Sequence, residues 1–245
     1  MSSFSPKRGP SKRVLQTLRP LFGVLRRYHA HDVLGLENIP KEGPAMLAVH
    51  HSLATYDAFL FGSALIRETG RTITALGDDK LFAFPGVRRL ASSSGILPAS
   101  PKNGRTLLGE GHLLAVAPGG MREALRPSTE RKHVLWDKRK GFVRLAIQTG
   151  APIIPVACPS ADFMYTVYEN RLTKLAYKKL KFPVPVARGI GLTLVPRPVR
   201  LTTYVGAPIV IPAGATDDQA TIDAVHAQVT ASIEALLARR DTKAD

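Results

Sequence analysis

Two histidines and an aspartate close together carry the first chemistry the chain offers. Residues Pro44 to Leu60 read PAMLAVHHSLATYDAFL, an apolar run that stops at His50-His51 and resumes at Asp57. A histidine held by a carboxylate is a general base with its tautomer fixed and its cation stabilised. On one continuous helix, six positions at about 100° each would turn His51 and Asp57 to opposite faces. The two therefore meet only if His51 sits in a turn that curls back. His50 and Asp57 would share a helix face but stand about 10 Å apart, beyond hydrogen-bond reach. His51 is the better candidate base and Asp57 its partner. The competing reading is a histidine at a strand end that caps backbone groups.

The second candidate is Ala117 to Leu125, APGGMREAL. Paired glycines let the backbone approach a ligand and can aim N–H groups at a developing negative charge. Gly119 and Gly120 fit that use. Arg122 adds a fixed cation suited to a phosphate or an oxyanion, and Glu123 can pair with Arg122 or orient it. The plainer alternative is a glycine turn with a surface ion pair. Other chemistries are excluded by reading. There is no G-x-S-x-G elbow and no G-x-x-x-x-G-K loop, and Gly109-Glu110-Gly111 lacks the third glycine of a dinucleotide fingerprint. His29 and His31 have no evident carboxylate or thiol partner, so no metal is expected. The aromatics do not interleave with basic positions as a nucleic-acid platform would.

These residues need a scaffold, and the periodicity supplies one. Ala45 to Val49 reads as a buried strand and Asp57 to Glu68 as a helix closed by Gly70. Thr72 to Leu76, Ile96 to Pro98, Leu113 to Ala117, Pro152 to Ala157 and Val199 to Val205 read as further strands. Leu34 to Pro40 is a connecting segment or edge strand. Helices are expected over Leu81 to Ser94 (interrupted at Pro85-Gly86), Ser100 to Leu108, Gly141 to Thr149, Asp162 to Leu180 and Asp217 to Arg239. A charged stretch runs from Arg126 to Lys140. Strands alternating with helices, and chemistry at a strand end, predict an α/β domain. It would span residues 31–245 after a loose tail, 1–10, and a basic amphipathic helix, 11–30, that Pro20 kinks or divides.

With 245 residues, 44% hydrophobic and 22% charged, the chain suits one globular domain with a real core. Its single cysteine, Cys158, excludes an intrachain disulfide and fits a reducing compartment. No run of about 18 apolar residues is present to span a bilayer, and the basic N-terminus lacks the apolar core and cleavage site of a signal peptide. The net charge of +15 asks for a polyanionic neighbour: anionic lipid, nucleic acid or a phosphate-bearing cofactor.

Taken together, the blocks resemble the glycerolipid acyltransferase superfamily, whose signature is H-x4-D, a P-E-G-T-R-like block, then a helix and a V-P-I-x-P-type strand. Here these are His51 to Asp57, Ala117 to Leu125 and Lys140 to Val156 (KGFVRLAIQTGAPIIPV), within a resemblance covering roughly residues 35 to 240. The extra residue between His and Asp, the PGG-x-RE block with Gly119 where the superfamily has Glu, and RKGF resemble the branch of transmembrane protein sixty-eight and the type-2 diacylglycerol acyltransferases. No arginine occupies Gly95 to Ser100, where the superfamily keeps a phosphate-binding block, which points to a neutral or bulkier alcohol than glycerol phosphate. The resemblance implies a mixed, mostly parallel sheet flanked by helices. It implies that His51, oriented by Asp57, deprotonates an acceptor hydroxyl, which attacks the thioester of acyl-CoA or acyl-carrier protein with no bound cofactor. Gly119, Gly120, Arg122 and Glu123 would serve substrate and oxyanion; Lys138, Arg139 and Lys140 would meet donor phosphates. Partners would be the donor, a lipid alcohol and an anionic membrane surface on its cytoplasmic face, with residues 11–30 or the Arg171 to Lys181 region as anchor; the helix of residues 11–30 can equally be a terminal helix docked on its own domain. Two other classes stay open: a lipid esterase using water, and a non-catalytic membrane- or nucleic-acid-binding protein.

Overall fold

Ala45–Val49 forms strand β2, and all five of its side chains are buried. A strand apolar on both faces needs cover on both, and the chain provides it. The computed structural model describes residues 9–83, 85–169 and 186–239. β2 lies between β5 (Leu113–Val116) and β6 (Ile153–Ala157), parallel to both, with Leu47 opposite Ala115 and Ile154. β3 (Ile73–Gly77) and β4 (Ile96–Pro98) extend the parallel part beyond β5. Beyond β6, β9 (Thr202–Val205) runs antiparallel and carries β1 (Asp32–Leu34) as a parallel edge. The seven-stranded order is β1-β9-β6-β2-β5-β3-β4.

Alternation along β2 divides the core. Met46 and Ala48 face Leu107 of α4 (Pro101–Gly109), Phe142 and Val143 of α6 (Gly141–Thr149), and Val225, Val229 and Ile233 of α7 (Gln219–Leu237). Leu47 and Val49 face Phe61 and Leu65, one turn apart on α2 (Tyr56–Thr69). Each such side chain contributes about 1.5–3 kcal/mol when fully buried. α2 ends at Gly70, whose φ of 73° closes the helix with an N–H to Ile66 O. α7 starts on Asp218, whose carboxylate accepts from Thr221 N–H at 2.9 Å.

α1 (Lys12–Tyr28) is capped by Ser11 and lies against α2. Pro20, expected to kink or divide it, does not divide it: the helix continues to Tyr28, and Phe22 and Leu25 beyond the proline still pack onto the core beside Leu60 and Leu201. Among the described residues no helix is long and apolar enough to cross a membrane. His29 bonds Val199 O and Tyr56 Oη, and His31 bonds Thr203 Oγ1, so both histidines fasten the N-terminal segment to the domain.

The helix expected over Asp162 to Leu180 is corrected where it is described. Pro159–Phe163 is a short 3₁₀ turn, and Thr166–Tyr168 is strand β7, paired antiparallel with β8 (Val186–Arg188). Val167 N–H donates to Ser128 Oγ at 2.8 Å, a tertiary bond that no helix would permit. Arg171, Lys174, Lys178, Lys179 and Lys181 lie outside the described residues, as do residues 1–8 of the expected tail. The helix expected over Leu81 to Ser94 is present as α3 (Pro85–Ser93), which starts at the proline instead of being interrupted by it. One short helix, α5 (Gly120–Ala124), is additional.

Candidate active site

Because β2, β5 and β6 are adjacent and parallel, the loops leaving them meet at one sheet edge. The connections from β2 and from β5 depart to opposite sides, which opens a crevice there. His50 closes the β2 ladder with its N–H to Val156 O at 2.9 Å. Its ring is buried, with Nε2 3.3 Å from His133 O, and burial pushes its pKa down to about 4. His51 opens the turn and is partly exposed.

The His51 ring is held from both sides. Its Nδ1 lies 2.9 Å from Ser52 O, a carbonyl that can only accept, so Nδ1 carries the proton and Nε2 is the unprotonated, accepting nitrogen. Thr55 Oγ1 stands 3.3 Å from both ring nitrogens. Burial, the larger influence, and nearby Arg126 lower its pKa, whereas the Ser52 carbonyl raises it; the net shift is downward, so the imidazole is neutral at pH 7. Thr55 adopts φ 57°, a left-handed conformation unusual for a β-branched residue, at the start of α2.

Asp57 is buried, and its Oδ1 accepts from Ser52 Oγ. Among the described residues no hydrogen bond joins it directly to His51; the link runs through Ser52, whose hydroxyl donates to Asp57 and whose carbonyl accepts from His51 Nδ1–H. Burial raises the Asp57 pKa from the usual 3.8 to about 6, against the Ser52 hydrogen bond.

Glu123 does not pair with Arg122. It turns inward, fully buried, and accepts from His51 N–H at 2.9 Å and Leu135 N–H at 3.0 Å. Arg122 points outward and pairs with Asp137, both about half exposed. The buried guanidinium is instead that of Arg126, which donates to His51 O at 2.6 Å and Glu123 O at 2.7 Å and pairs with Asp162. Asp162 Oδ2 accepts from Lys132 N–H at 2.7 Å. Residues from four segments are thus tied around the backbone of His51.

Gly119 has a steric cause. A Cβ there would lie 2.4 Å from Glu123 Cβ and Cδ, so the inward carboxylate requires the glycine. Gly120, at φ 53°, donates its N–H to Ala117 O at 3.0 Å, and Arg139 Nη1 donates to Pro118 O at 3.1 Å and to Gly119 O. Lys140 Nζ pairs with Asp223 at 2.5 Å, and Lys138 is exposed.

Beside this turn lies a cavity of about 630 Å³ between α1, α2 and the sheet. Small residues make the room: Ala58, Gly62 and Ser63 on α2, Ala75 on β3, Ala115 on β5. α1 walls the far side with Leu15, Leu18 and Phe22, and Thr55 lines the cavity while touching His51. Sequence reasoning missed Ser52, Thr55, Arg126 and Asp162. Arg126 follows Glu123 by three residues, the spacing of helical neighbours, which was the one available signal; inside a basic stretch it reads as a solvated charge.

Residues 47–245 match the diacylglycerol acyltransferase family. A "DGAT1/2-independent enzyme synthesizing storage lipids" of Bos taurus is 34% identical over 184 residues, 74% of this chain and 53% of that protein. The human "Diacylglycerol O-acyltransferase 2" is 27% identical over 249 residues, 94% of this chain and 58% of that protein. The chain therefore spans little more than half the length of these relatives. The crystal structure of the 1-acyl-sn-glycerophosphate acyltransferase PlsC from Thermotoga maritima shares the fold, with TM-score 0.60 and 19% identity over 94% of this chain and 83% of that one. From the parallel sheet through the His51 turn to the matched 199-residue span, the chain belongs to the diacylglycerol acyltransferase family.

Proposed function

We propose that this protein transfers a fatty acyl group from the thioester of acyl-CoA or acyl-carrier protein to a hydroxyl of a lipid alcohol. The reading rests on one juxtaposition: a neutral histidine whose unprotonated Nε2 lies against Thr55 Oγ1, a residue that also lines an apolar cavity of about 630 Å³. That volume lies within the ~300–1,000 Å³ of small-molecule sites, and its apolar lining suits an alkyl chain. Membership in a diacylglycerol acyltransferase family supports the same class of reaction.

In this mechanism His51 Nε2 takes the proton of the acceptor hydroxyl as its oxygen attacks the thioester carbonyl. The C–S bond of the tetrahedral intermediate then breaks, and the thiolate leaves with the proton returned from His51. The donor to the oxyanion would come from the Gly119 turn or from Arg122, since the Gly120 N–H is already given to Ala117 O. Asp57, Glu123 and Arg126 are positioning residues: Asp57 holds Ser52, Glu123 and Arg126 hold the main chain of His51. Lys138, at the surface, is a cation available to donor phosphates, and so is Arg122 once its surface pair with Asp137 opens. Arg139 braces the Gly119 carbonyl and Lys140 is engaged by Asp223, so both act on the fold first. The acceptor is lipid-borne, which makes a membrane surface the working partner.

Incubating the purified protein with radiolabelled acyl-CoA and a panel of lipid alcohols tests the proposal. Labelled acyl ester is the expected product. Release of free fatty acid alone would make the protein a thioesterase or lipid esterase, and no turnover of any donor would remove the catalytic reading.

A further inference from the structure

The turn joining β8 to Arg197 is built in an uncommon way. Its backbone is satisfied from within: Gly189 N–H bonds Thr193 O at 2.7 Å, Ile190 N–H bonds Val195 O at 2.9 Å, and Thr193 N–H and hydroxyl both bond Ile190 O. Arg188 adds a bond to Gly191 O at 3.2 Å. Gly189 admits no side chain, since a Cβ would lie 1.7 Å from Val195 O. Yet this ordered turn aims its apolar side chains into solvent. Leu192 is 93% exposed and Leu194 72%, with Ile190 and Val195 about half exposed. Exposed apolar groups gathered on one turn mark a binding surface, and a segment entering hydrocarbon must satisfy its own backbone, as this one largely does.

The turn continues into α1. Tyr28 Oη donates to Pro196 O at 2.7 Å, and His29 accepts Leu201 N–H through its carbonyl. Leu21, Val24 and Tyr28, at i, i+3 and i+7, form an exposed stripe on the helix, while Leu18 and Phe22 face the cavity and Leu25 the core. Charge follows the same map. Residues 9–31 and 186–200 contain no Asp or Glu, although the chain has 19, and they carry Lys12, Arg13, Arg19, Arg26, Arg27, Arg188, Arg197 and Arg200. An apolar surface with purely basic flanks matches an anionic bilayer: alkyl chains below, phosphates at the rim.

We infer that the Gly189–Val195 turn inserts into an anionic bilayer together with the Leu21-Val24-Tyr28 stripe of α1, so that the helix walling the cavity is itself held at the lipid surface. This rests on the proposed lipid-borne acceptor for its purpose, but its test does not require turnover. The full chain is mixed with phosphatidylcholine vesicles with and without phosphatidylglycerol. Wild-type protein should bind the anionic vesicles and be released by salt. Leu192→Glu with Leu194→Glu should weaken partitioning roughly tenfold or more at unchanged melting temperature, because neither side chain is packed. Val210→Glu, 74% exposed and next to Ile209 at the opposite end of the sheet, should bind as wild type. Leu192→Trp should shift its emission to the blue on vesicles. Undiminished binding of the double variant with no blue shift overturns the inference. So does a wild-type dimer that the double variant dissociates, which would make the turn a contact between two copies. Acyl transfer to a detergent-dispersed acceptor should be unaffected by the double substitution; its absence in wild type too would fail the catalytic reading alone and leave the vesicle result standing.

Discussion

The turn after β2 and helix α1 flank the same cavity and are held in opposite ways. Around His51, buried Glu123, Arg126 and Asp162 cross-link four segments, so the backbone of this proposed base is held from several sides. α1 has no fully buried residue and leans on the domain through half-buried Leu15, Leu18, Phe22 and Leu25. Elements with few buried contacts open at low free energy, and those with many open only on global unfolding. Under the proposed function, chemistry falls on the rigid wall and chain entry on the yielding one.

The largest effect should come from His51→Ala: a loss of about 10²–10⁴ in kcat with little change in melting temperature. His50→Ala should do the reverse, costing stability while sparing most activity, because its ring is packed under the strap at His133. An essential His50 with a dispensable His51 would break the comparison at its centre.

Arg126→Met should lower unfolding free energy by about 3–5 kcal/mol, since it strands the buried Asp162 carboxylate. Urea denaturation reads this directly. Val24→Ala on the exposed face of α1 should stay within about 0.5 kcal/mol. Similar losses at both sites would erase the proposed difference in rigidity.

Asp57 sharpens the same point through pH. Its folded pKa near 6 exceeds the usual 3.8, so its contribution favours folding at low pH and is lost as pH rises through about 6. His50 and His31, each depressed to about 4, act oppositely: their stabilisation is present above 6.5 and is lost as pH falls toward 4. Asp57→Asn, always neutral, should therefore gain on wild type by about 2–3 kcal/mol between pH 4 and pH 7. Its kcat should fall while the donor KM holds, because Ser52 loses a charged anchor. A pH-independent stability difference would contradict the burial argument.

The smallest effect tests the yielding side. A Cβ at Gly62 meets nothing within 4 Å, and the residue lines the cavity. Gly62→Leu should stabilise α2 by about 0.5–1 kcal/mol through helix propensity, yet selectively slow transfer from long-chain donors. Equal rates with short and long donors would exclude the cavity as the chain site.

Much of this arrangement was legible because it is periodic. β2, α2, α6 and α7 follow from unbroken or 3.6-spaced apolar residues. The turn at His51 was expected so that its ring could meet Asp57; the turn is there, but the two are linked only through Ser52. The rest depended on tertiary partners. Thr166–Tyr168 became a strand because it meets Ser128 and β8, neither near in sequence. Arg126 is buried because Asp162, 36 residues on, neutralises it. Ser52 entered as an intermediary because both its hydroxyl and its carbonyl face the site, which residue type alone does not indicate.

Gly119 and Glu123 carry a consequence for how such a site changes over generations. The glycine is empty so that a neighbour's carboxylate can occupy the space, and the carboxylate holds the main chain of His51 only because the glycine is empty. Neither position can drift alone: a side chain at 119 expels the glutamate, and loss of the glutamate leaves a hole and two unanswered N–H groups. The two behave as a single heritable character, with strong non-additivity between their substitutions. A carboxylate could reach position 119 only in the same step that removed the one at 123.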